Sequence, residues 1–132
     1  MMGAGTPAMK DGLSIHYYSC KQSMTDKKIA MTSADGDLLI VPQFGTLRVT
    51  TEFGLLTVAS KEICVIPRGI KFAVDLEGEQ ARGWIAEVYK GHFAIPDLGP
   101  IGSNGCANER DFETPVARYQ DDVSDWSVVV RF

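Results

Sequence analysis

Short apolar runs separated by glycine-containing turns dominate the chain, and they predict strands rather than helices. The runs are rich in Val, Ile, Leu and Thr, whose branched or bulky side chains suit a pleated, buried surface. The most regular block covers residues 37–72, where Gly45 and Gly54 mark turns, because glycine takes positive φ without steric cost. We predict strands at residues 13–19, 29–32, 37–42, 46–52, 55–59, 62–67, 70–76, 82–90, 92–96 and 127–132.

The spacing of these runs predicts an all-β sandwich or barrel, built mainly from antiparallel strands. Strand signals recur from position 13 to 95, and no amphipathic pattern of helical length interrupts them. In residues 82–90 the alternation places Ile85, Glu87 and Tyr89 on one face, opposite Trp84, Ala86 and Val88. With 132 residues the chain fits one domain. We expect residues 1–12 to be poorly ordered and residues 13–132 to form a single β domain.

One long loop, residues 93–113, breaks the strand pattern. It is rich in Pro, Gly and Asn. Loops of this length are usually functional or disordered. Ile95, Leu98, Ile101 and Phe112 provide apolar anchors, so we expect the loop to be ordered by packing.

Composition and charge exclude several classes of partner. The formal net charge is −4, which argues against non-specific binding to nucleic acid and against docking on an anionic membrane. No apolar run approaches the ~20 residues that span a bilayer, and no secretory signal is visible, so we expect a cytoplasmic protein. Cys20, Cys64 and Cys106 are distant and odd in number, which favours reduced thiols, with Cys64 buried in its strand.

The residues alone indicate no active site. A non-haem iron site needs two His and one carboxylate. The two histidines, His16 and His92, lie far apart in sequence, and a metal site would require both to converge with Glu87 or Glu62. We interpret both as structural histidines. Ser103 lies outside any G-x-S-x-G elbow, and the glycine-rich GPIGSNG run matches neither a P-loop nor a dinucleotide fingerprint.

The central block resembles a cupin, a jelly-roll β fold. In that family apolar strands alternate with two glycine turns, an acidic residue and a Pro-x-Gly turn, represented here by Gly45, Gly54, Glu62 and Pro67-Arg68-Gly69. Metal-binding cupins carry a histidine three residues after that last glycine, and this chain has Phe72 there. The His-x-His pair of the family is missing too. The block thus resembles a cupin without its metal site.

A more specific resemblance is to the homogentisate dioxygenase family. It covers residues 12–119, is strongest over residues 92–112 and weakens after Tyr119. The motifs that carry it are DGDLLIVPQFGTL, TEFGLL, EICVIPRG, RGWIAEVY and HFAIPDLGPIGSNGCANERDF.

This resemblance implies a two-cupin subunit in which a metal-free N-terminal β domain packs on a C-terminal domain that binds Fe(II) through two His and one Glu. It implies a homo-oligomer, a trimer-based hexamer, that uses O2 to open the ring of homogentisate and gives maleylacetoacetate. The family subunit is several times longer than this chain. The iron ligands would follow Phe132, so the resemblance assigns none to His16, His92 or any glutamate here.

We therefore expect a structural, non-metal cupin portion that is inactive by itself and binds no iron. The candidate structural or interface residues are Pro67, Gly69, Phe72, Asp97, Gly99, Pro100, Asn104, Gly105, Asn108, Arg110 and Asp111. The alternative is a stand-alone, non-catalytic cupin-like module for interaction or for binding a small molecule. Its ligand would occupy the barrel mouth near Phe72, Trp84 and Tyr89.

Overall fold

The computed structural model describes residues 2–94, 109–119, 121 and 124–132, and these residues are nearly all β. They contain no α-helix, only short 3-10 turns, and hence no helix that could cross a membrane. The strands are β1 (Met2–Thr6), β2 (Asp11–Cys20), β3 (Ile29–Ser33), β4 (Asp37–Phe44), β5 (Leu47–Thr51), β6 (Gly54–Val58), β7 (Cys64–Ile66), β8 (Phe72–Leu76), β9 (Ala81–Val88) and β10 (Ser127–Arg131).

The strands form two five-stranded sheets. The first sheet has the order β1-β2-β9-β4-β7, and the second has the order β10-β3-β8-β5-β6. Neighbouring strands are antiparallel, except that β10 runs parallel to β3 with Ser127 opposite Ile29 and Arg131 opposite Ser33. The predicted all-β fold is confirmed, as two facing sheets rather than as a closed barrel.

The core lies between the two sheets. The inner face of the first sheet contributes Leu38 and Ile40 of β4, and the second contributes Leu47 and Val49 of β5. Each such side chain stabilises the fold by roughly 1.5–3 kcal/mol when fully buried. The alternation of buried and exposed positions along β4 and β5 follows from successive side chains pointing to opposite faces of a sheet.

The structure differs from the prediction for residues 1–12, where it has strand β1. This strand pairs with β2, and all five of its residues are exposed, so no apolar alternation marks it in the sequence. Gly5 and Gly12 face each other with φ of 81° and 92°. A Cβ on Gly12 would lie 1.8 Å from the carbonyl oxygen of Ala4. Backbone pairing, made possible by glycine, therefore forms this strand.

The remaining strand predictions are confirmed to within a few residues, with one exception. Residues 92–94 are not a strand, and residues 95–96 lie outside the described part of the chain. Most of the predicted loop, including Ile95, Leu98 and Ile101, also lies outside it.

Candidate functional site

Glu87 of β9 points into the space between the sheets and is 0% exposed. Its Oε2 forms an ion pair with Nη1 of Arg131 at 2.6 Å and lies 3.0 Å from His16 Nε2, while its Oε1 accepts a hydrogen bond from the Ser33 hydroxyl at 3.1 Å. The Tyr89 hydroxyl donates a longer bond of 3.4 Å to Oε2. Four strands, β2, β3, β9 and β10, therefore meet at one carboxylate.

The charge of Glu87 is compensated inside the protein. A buried carboxylate is costly unless it is paired and its oxygens accept hydrogen bonds. Arg131 supplies the opposite charge, and the hydroxyls of Ser33 and Tyr89 supply further donors. Ser14 extends the network, with its Oγ 2.6 Å from the Tyr89 hydroxyl. Both oxygens of Glu87 are thus occupied by protein donors, so the group holds strands together.

Asp37, the first residue of β4, is the second buried carboxylate, at 1% exposure. Its Oδ1 accepts hydrogen bonds from the backbone N–H and the Nε of Arg68, at 3.0 and 3.3 Å, and its Oδ2 accepts one from the backbone N–H of Phe93, at 3.0 Å. Nδ1 of His92 lies 3.1 Å from both oxygens. Burial raises the pKa of Asp37, but the hydrogen bonds from Arg68, Phe93 and His92 outweigh burial and hold that pKa below its ordinary value.

Asp37 and Arg68 together fix the segment that follows β9. The side chain of Arg68 donates to the carbonyl oxygen of Tyr89 at 3.4 Å and to that of Gly91. Asp37 holds the next two residues, His92 and Phe93. The position at which residues 93–113 leave the sheet is therefore set by a buried carboxylate and an arginine.

The turn Pro67-Arg68-Gly69 links the two carboxylates. The backbone N–H of Gly69 donates to the carbonyl oxygen of Ser33 at 2.8 Å, and the hydroxyl of Ser33 binds Glu87. Gly69 has φ of 86°, in the left-handed region that favours glycine. This turn explains the Pro-x-Gly signature as a geometric requirement of the fold.

Replacing Gly69 by Ala is expected to lower the free energy of unfolding by about 1 kcal/mol, because an L side chain is strained at this φ. No heavy atom lies within 4 Å of the added Cβ, so the cost is that of the backbone alone. The matched control is Gly78→Ala, where the added Cβ meets nothing within 4 Å and φ is not positive. Urea unfolding measures both, and equal costs at the two positions would contradict the explanation.

The structure separates the other predicted site residues. Phe72 is buried in the core, opposite Met31 of β3, so an apolar ring occupies the position where a metal-binding cupin has histidine. Arg110 and Asp111 belong to the 3-10 turn Glu109–Asp111, and both are exposed. The other candidates lie outside the described residues, namely Asp97, Gly99, Pro100, Asn104, Gly105 and Asn108.

The described residues do not fit Fe(II). His16 lies against Glu87 and His92 against Asp37, so the two histidines do not converge on one carboxylate. An arginine lies beside each carboxylate and competes with a cation. In the part of the chain that the structure describes, no group of three His, Cys, Asp or Glu side chains could hold a metal ion.

The residues predicted to line a ligand-binding mouth are not brought together. Phe72 and Tyr89 are buried, whereas Trp84 is 48% exposed on the outer face of the first sheet. Trp84 and Tyr89 are both in or next to β9, and their odd separation places them on opposite faces. The prediction that Phe72, Trp84 and Tyr89 lie around one ligand-binding mouth is wrong.

Cys64 is buried, as its place in a strand predicts, and burial raises the pKa of its thiol to about 11. The thiol is therefore protonated and unreactive at neutral pH. Cys106 lies outside the described residues.

The sequence did not predict the central roles of Asp37 and Arg131. Glu87 was considered only as a possible metal ligand. The one available signal was its position, since the alternation of β9 places an acidic residue on the same face as Ile85 and Tyr89. A charged residue on an apolar face requires a buried partner.

Comparison with known proteins gives the family of the chain. A family model described as Homogentisate 1,2-dioxygenase N-terminal matches residues 1–132. The chain belongs to the homogentisate 1,2-dioxygenase family. It is 57% identical over 131 residues to the homogentisate 1,2-dioxygenase of Drosophila melanogaster, which covers 98% of this chain and 29% of that protein. The Caenorhabditis elegans homogentisate 1,2-dioxygenase is 51% identical, over 98% of this chain and 29% of that protein.

Two features of these matches refine the sequence analysis. The chain spans less than a third of the length of the relatives that it matches. The similarity also extends past Tyr119, where the motifs had suggested that it weakens, because the aligned region includes almost the entire chain.

Among solved structures, a protein from Neisseria meningitidis superposes with a TM-score of 0.51 at 15% identity, covering 58% of this chain and 74% of that chain. A cupin-2 domain containing protein from Shewanella frigidimarina superposes with a TM-score of 0.49 at 20% identity, over 58% of this chain and 70% of that chain. At such identities a likeness concerns the fold alone.

Proposed function

We propose that this chain is the structural, non-metal cupin portion of a homogentisate dioxygenase. The observation that supports the proposal is that protein groups surround both buried carboxylates. Glu87 and Asp37 each form an ion pair with an arginine and accept hydrogen bonds from other protein groups, and they join strands and turns that are distant in sequence. Such groups stabilise a scaffold and leave no carboxylate oxygen for a substrate or a metal.

In this proposal the chemistry belongs to the part of the enzyme that the chain does not cover. The chain corresponds to 29% of the Drosophila melanogaster homogentisate 1,2-dioxygenase. The remaining polypeptide would include a C-terminal cupin domain that binds Fe(II), which orients homogentisate and activates O2 in a site with open coordination positions. The product would be maleylacetoacetate, in the catabolism of tyrosine and phenylalanine. We place the intact protein in the cytoplasm, as a trimer-based hexamer.

The role of this portion would be to hold the segment of residues 93–113 at a fixed starting point. Asp37 and Arg68 bind that starting point on both sides of His92. The segment contains most of the candidate interface residues, and we propose that it contacts another domain or another subunit.

The purified chain is expected to bind iron at less than about 0.1 equivalent, because a stable site requires preformed ligands in the right number and geometry. With homogentisate it should consume no O2. Elemental analysis and an oxygen electrode measure the two quantities. The matched control is a chimera in which this chain replaces the matching region of the Drosophila melanogaster enzyme, which should bind iron and turn over.

The isolated chain and the chimera each have an outcome that would contradict the proposal. Iron near one equivalent, or O2 uptake by the isolated chain, would show that the chain has its own catalytic site. A chimera that folds and binds iron but is inactive would show that this chain does not replace the corresponding portion of a family enzyme.

A further inference from the structure

The first sheet has apolar side chains on its outer face as well as on its inner face. On this outer face, three successive pairs of residues from the neighbouring strands β2 and β9 are apolar, and we call each pair, with its neighbours across the sheet, a row. We call this surface the apolar face. Its central residues are Leu13, Ile15 and Tyr17 of β2, opposite Val88, Ala86 and Trp84 of β9. In β4, next to β9, Leu39 and Val41 lie on this outer face and alternate with Leu38 and Ile40 of the core. A strand that is apolar on both faces is typical of a sheet covered on both sides.

No charged side chain lies among these central rows. The acidic residue at the margin, Asp37 opposite Val88, is covered by His92 and Phe93 and does not face solvent. Among the described residues, further charged side chains lie at the two ends of the surface. At one end Lys90 lies 3.4 Å from Asp11, and at the other end the guanidinium of Arg82 lies over the ring of Phe44.

The described residues leave the apolar face open to solvent. Tyr17 is 50% exposed and Trp84 is 48% exposed, and their rings are in edge contact with a centroid distance of 5.1 Å. Large rigid aromatic side chains of this kind, with one polar atom each, are enriched in the centres of protein interfaces.

The second sheet provides an internal comparison. On its outer face Arg48 of β5 lies opposite Asp75 of β8, and Thr50 lies opposite Ala73. That face follows the usual rule for an antiparallel sheet with one side in water. The absence of charge from the central rows of the apolar face is therefore specific to that face and does not reflect the composition of the chain.

We propose that the apolar face packs permanently against the part of the full-length family polypeptide that lies outside this chain. The proposal rests on the proposed function, in which this chain is one portion of a longer enzyme. Transient docking surfaces keep about the polarity of an ordinary protein surface, whereas permanent interfaces resemble a domain core cut in half. The relatives supply the occupant, since more than two thirds of their length has no counterpart in this chain.

The geometry defines the chemistry of the occupant. It presents an uncharged layer of aliphatic or aromatic side chains to the three central rows. It also offers acceptors to the Trp84 indole N–H and the Tyr17 hydroxyl, because a buried donor without a partner is costly. Polar or charged groups of the occupant meet Lys90, Asp11 and Arg82 at the two ends. The first sheet then becomes the middle layer of a three-layer structure.

Hydroxyl-radical footprinting with mass spectrometry tests the proposal on two proteins, the chain and the Drosophila melanogaster chimera. Oxidation of Tyr17 and Trp84 is expected to fall about tenfold in the chimera, because side chains at the centre of an interface are fully desolvated. Phe53, an exposed aromatic in the turn between β5 and β6, is the internal control and should be oxidised equally in both proteins.

The other occupants give different results. Protection of Tyr17 and Trp84 in the chain alone that increases with protein concentration would assign the face to a second copy and overturn the proposal. Protection at every concentration would assign it to a segment of the same chain, and equal oxidation in both proteins would leave the face in solvent. Either of these results overturns the proposal too. None depends on iron or turnover, so the proposed function is tested separately.

The introduction of a charge into the apolar face provides a second measurement. Trp84→Lys is expected to lower the melting temperature of the chimera by at least about 5 °C more than that of the isolated chain, since a lysine inside a permanent interface is buried without a partner. Phe53→Lys is the control and should affect both proteins alike. An equal shift for Trp84→Lys in the two proteins would overturn the proposal.

Discussion

Replacing Glu87 by Gln is expected to lower the free energy of unfolding by about 3 kcal/mol, because removal of one partner leaves the other charge of a buried pair uncompensated. Gln keeps the volume of Glu87, so the loss would come from the charge and not from a cavity. Arg131 would lose its partner at 2.6 Å, and the hydroxyl of Ser33 would face an amide in place of a carboxylate. Urea unfolding followed by fluorescence measures the effect.

Two further variants separate the buried pair from general destabilisation. Glu77 pairs with Arg48 at 3.6 Å on the surface, where both side chains are well exposed. Glu77→Gln should therefore change stability by less than about 0.5 kcal/mol. In a double-mutant cycle, the combination of Glu87→Gln with Arg131→Met should cost at least about 1 kcal/mol less than the sum of the single variants. Additive costs would show that Arg131 is not the partner that matters.

Replacing Asp37 by Asn is expected to cost about 2 kcal/mol at pH 7, in the range for loss of hydrogen bonds to a charged group. The carboxylate holds Arg68, His92 and the backbone of Phe93, and an amide cannot accept all of these bonds. The cost should be smaller than for Glu87, because His92 beside Asp37 is 66% exposed whereas His16 beside Glu87 is 18% exposed. In the variant, limited proteolysis should cleave the segment after β9. A general loss of stability would instead expose cleavage sites throughout the fold.

The contribution of Asp37 should also depend on pH. Its pKa in the folded protein is below the ordinary value that it has in the unfolded chain. The stabilisation is therefore complete above about pH 5, and it is lost as the pH falls below the ordinary carboxyl pKa and through the folded-state pKa. The difference in unfolding free energy between the protein and Asp37→Asn should shrink between pH 5 and pH 3. A difference that grows on acidification would contradict the direction of the pKa shift.

The β fold was predictable from the sequence because most of its strands show apolar alternation and are bounded by glycine turns, and both features are visible in a sequence. Val49 and Leu47 alternate with polar residues along β5, and Gly54 begins β6 after the turn from β5 with φ of 135°, where glycine is needed. Strand β1 was missed because its pairing depends on Gly5 and Gly12 and not on any apolar residue. The parallel pairing of β10 with β3 was missed because register between distant segments leaves no local pattern.

The carboxylate network could not be predicted, for a different physical reason. Alternation places Glu87 on the inner face of β9, but it does not say that Arg131 comes from the far end of the chain to meet it. Asp37 likewise binds groups 31 and 55 positions away. Networks of this kind depend on tertiary geometry, so the sequence indicates that a buried charge exists and leaves its partner unspecified.

The parallel pairing of β10 with β3 has a kinetic consequence. The paired residues are about a hundred positions apart, and pairings between distant segments form slowly because the intervening chain must first be ordered. Strand β3 therefore has one unpaired edge until β10 pairs with it. Until then the inward-facing carboxylate of Glu87 also lacks its partner Arg131. We expect refolding to pass through a species that has the antiparallel strands but not β10, and this species is the one at risk of association through the open edge.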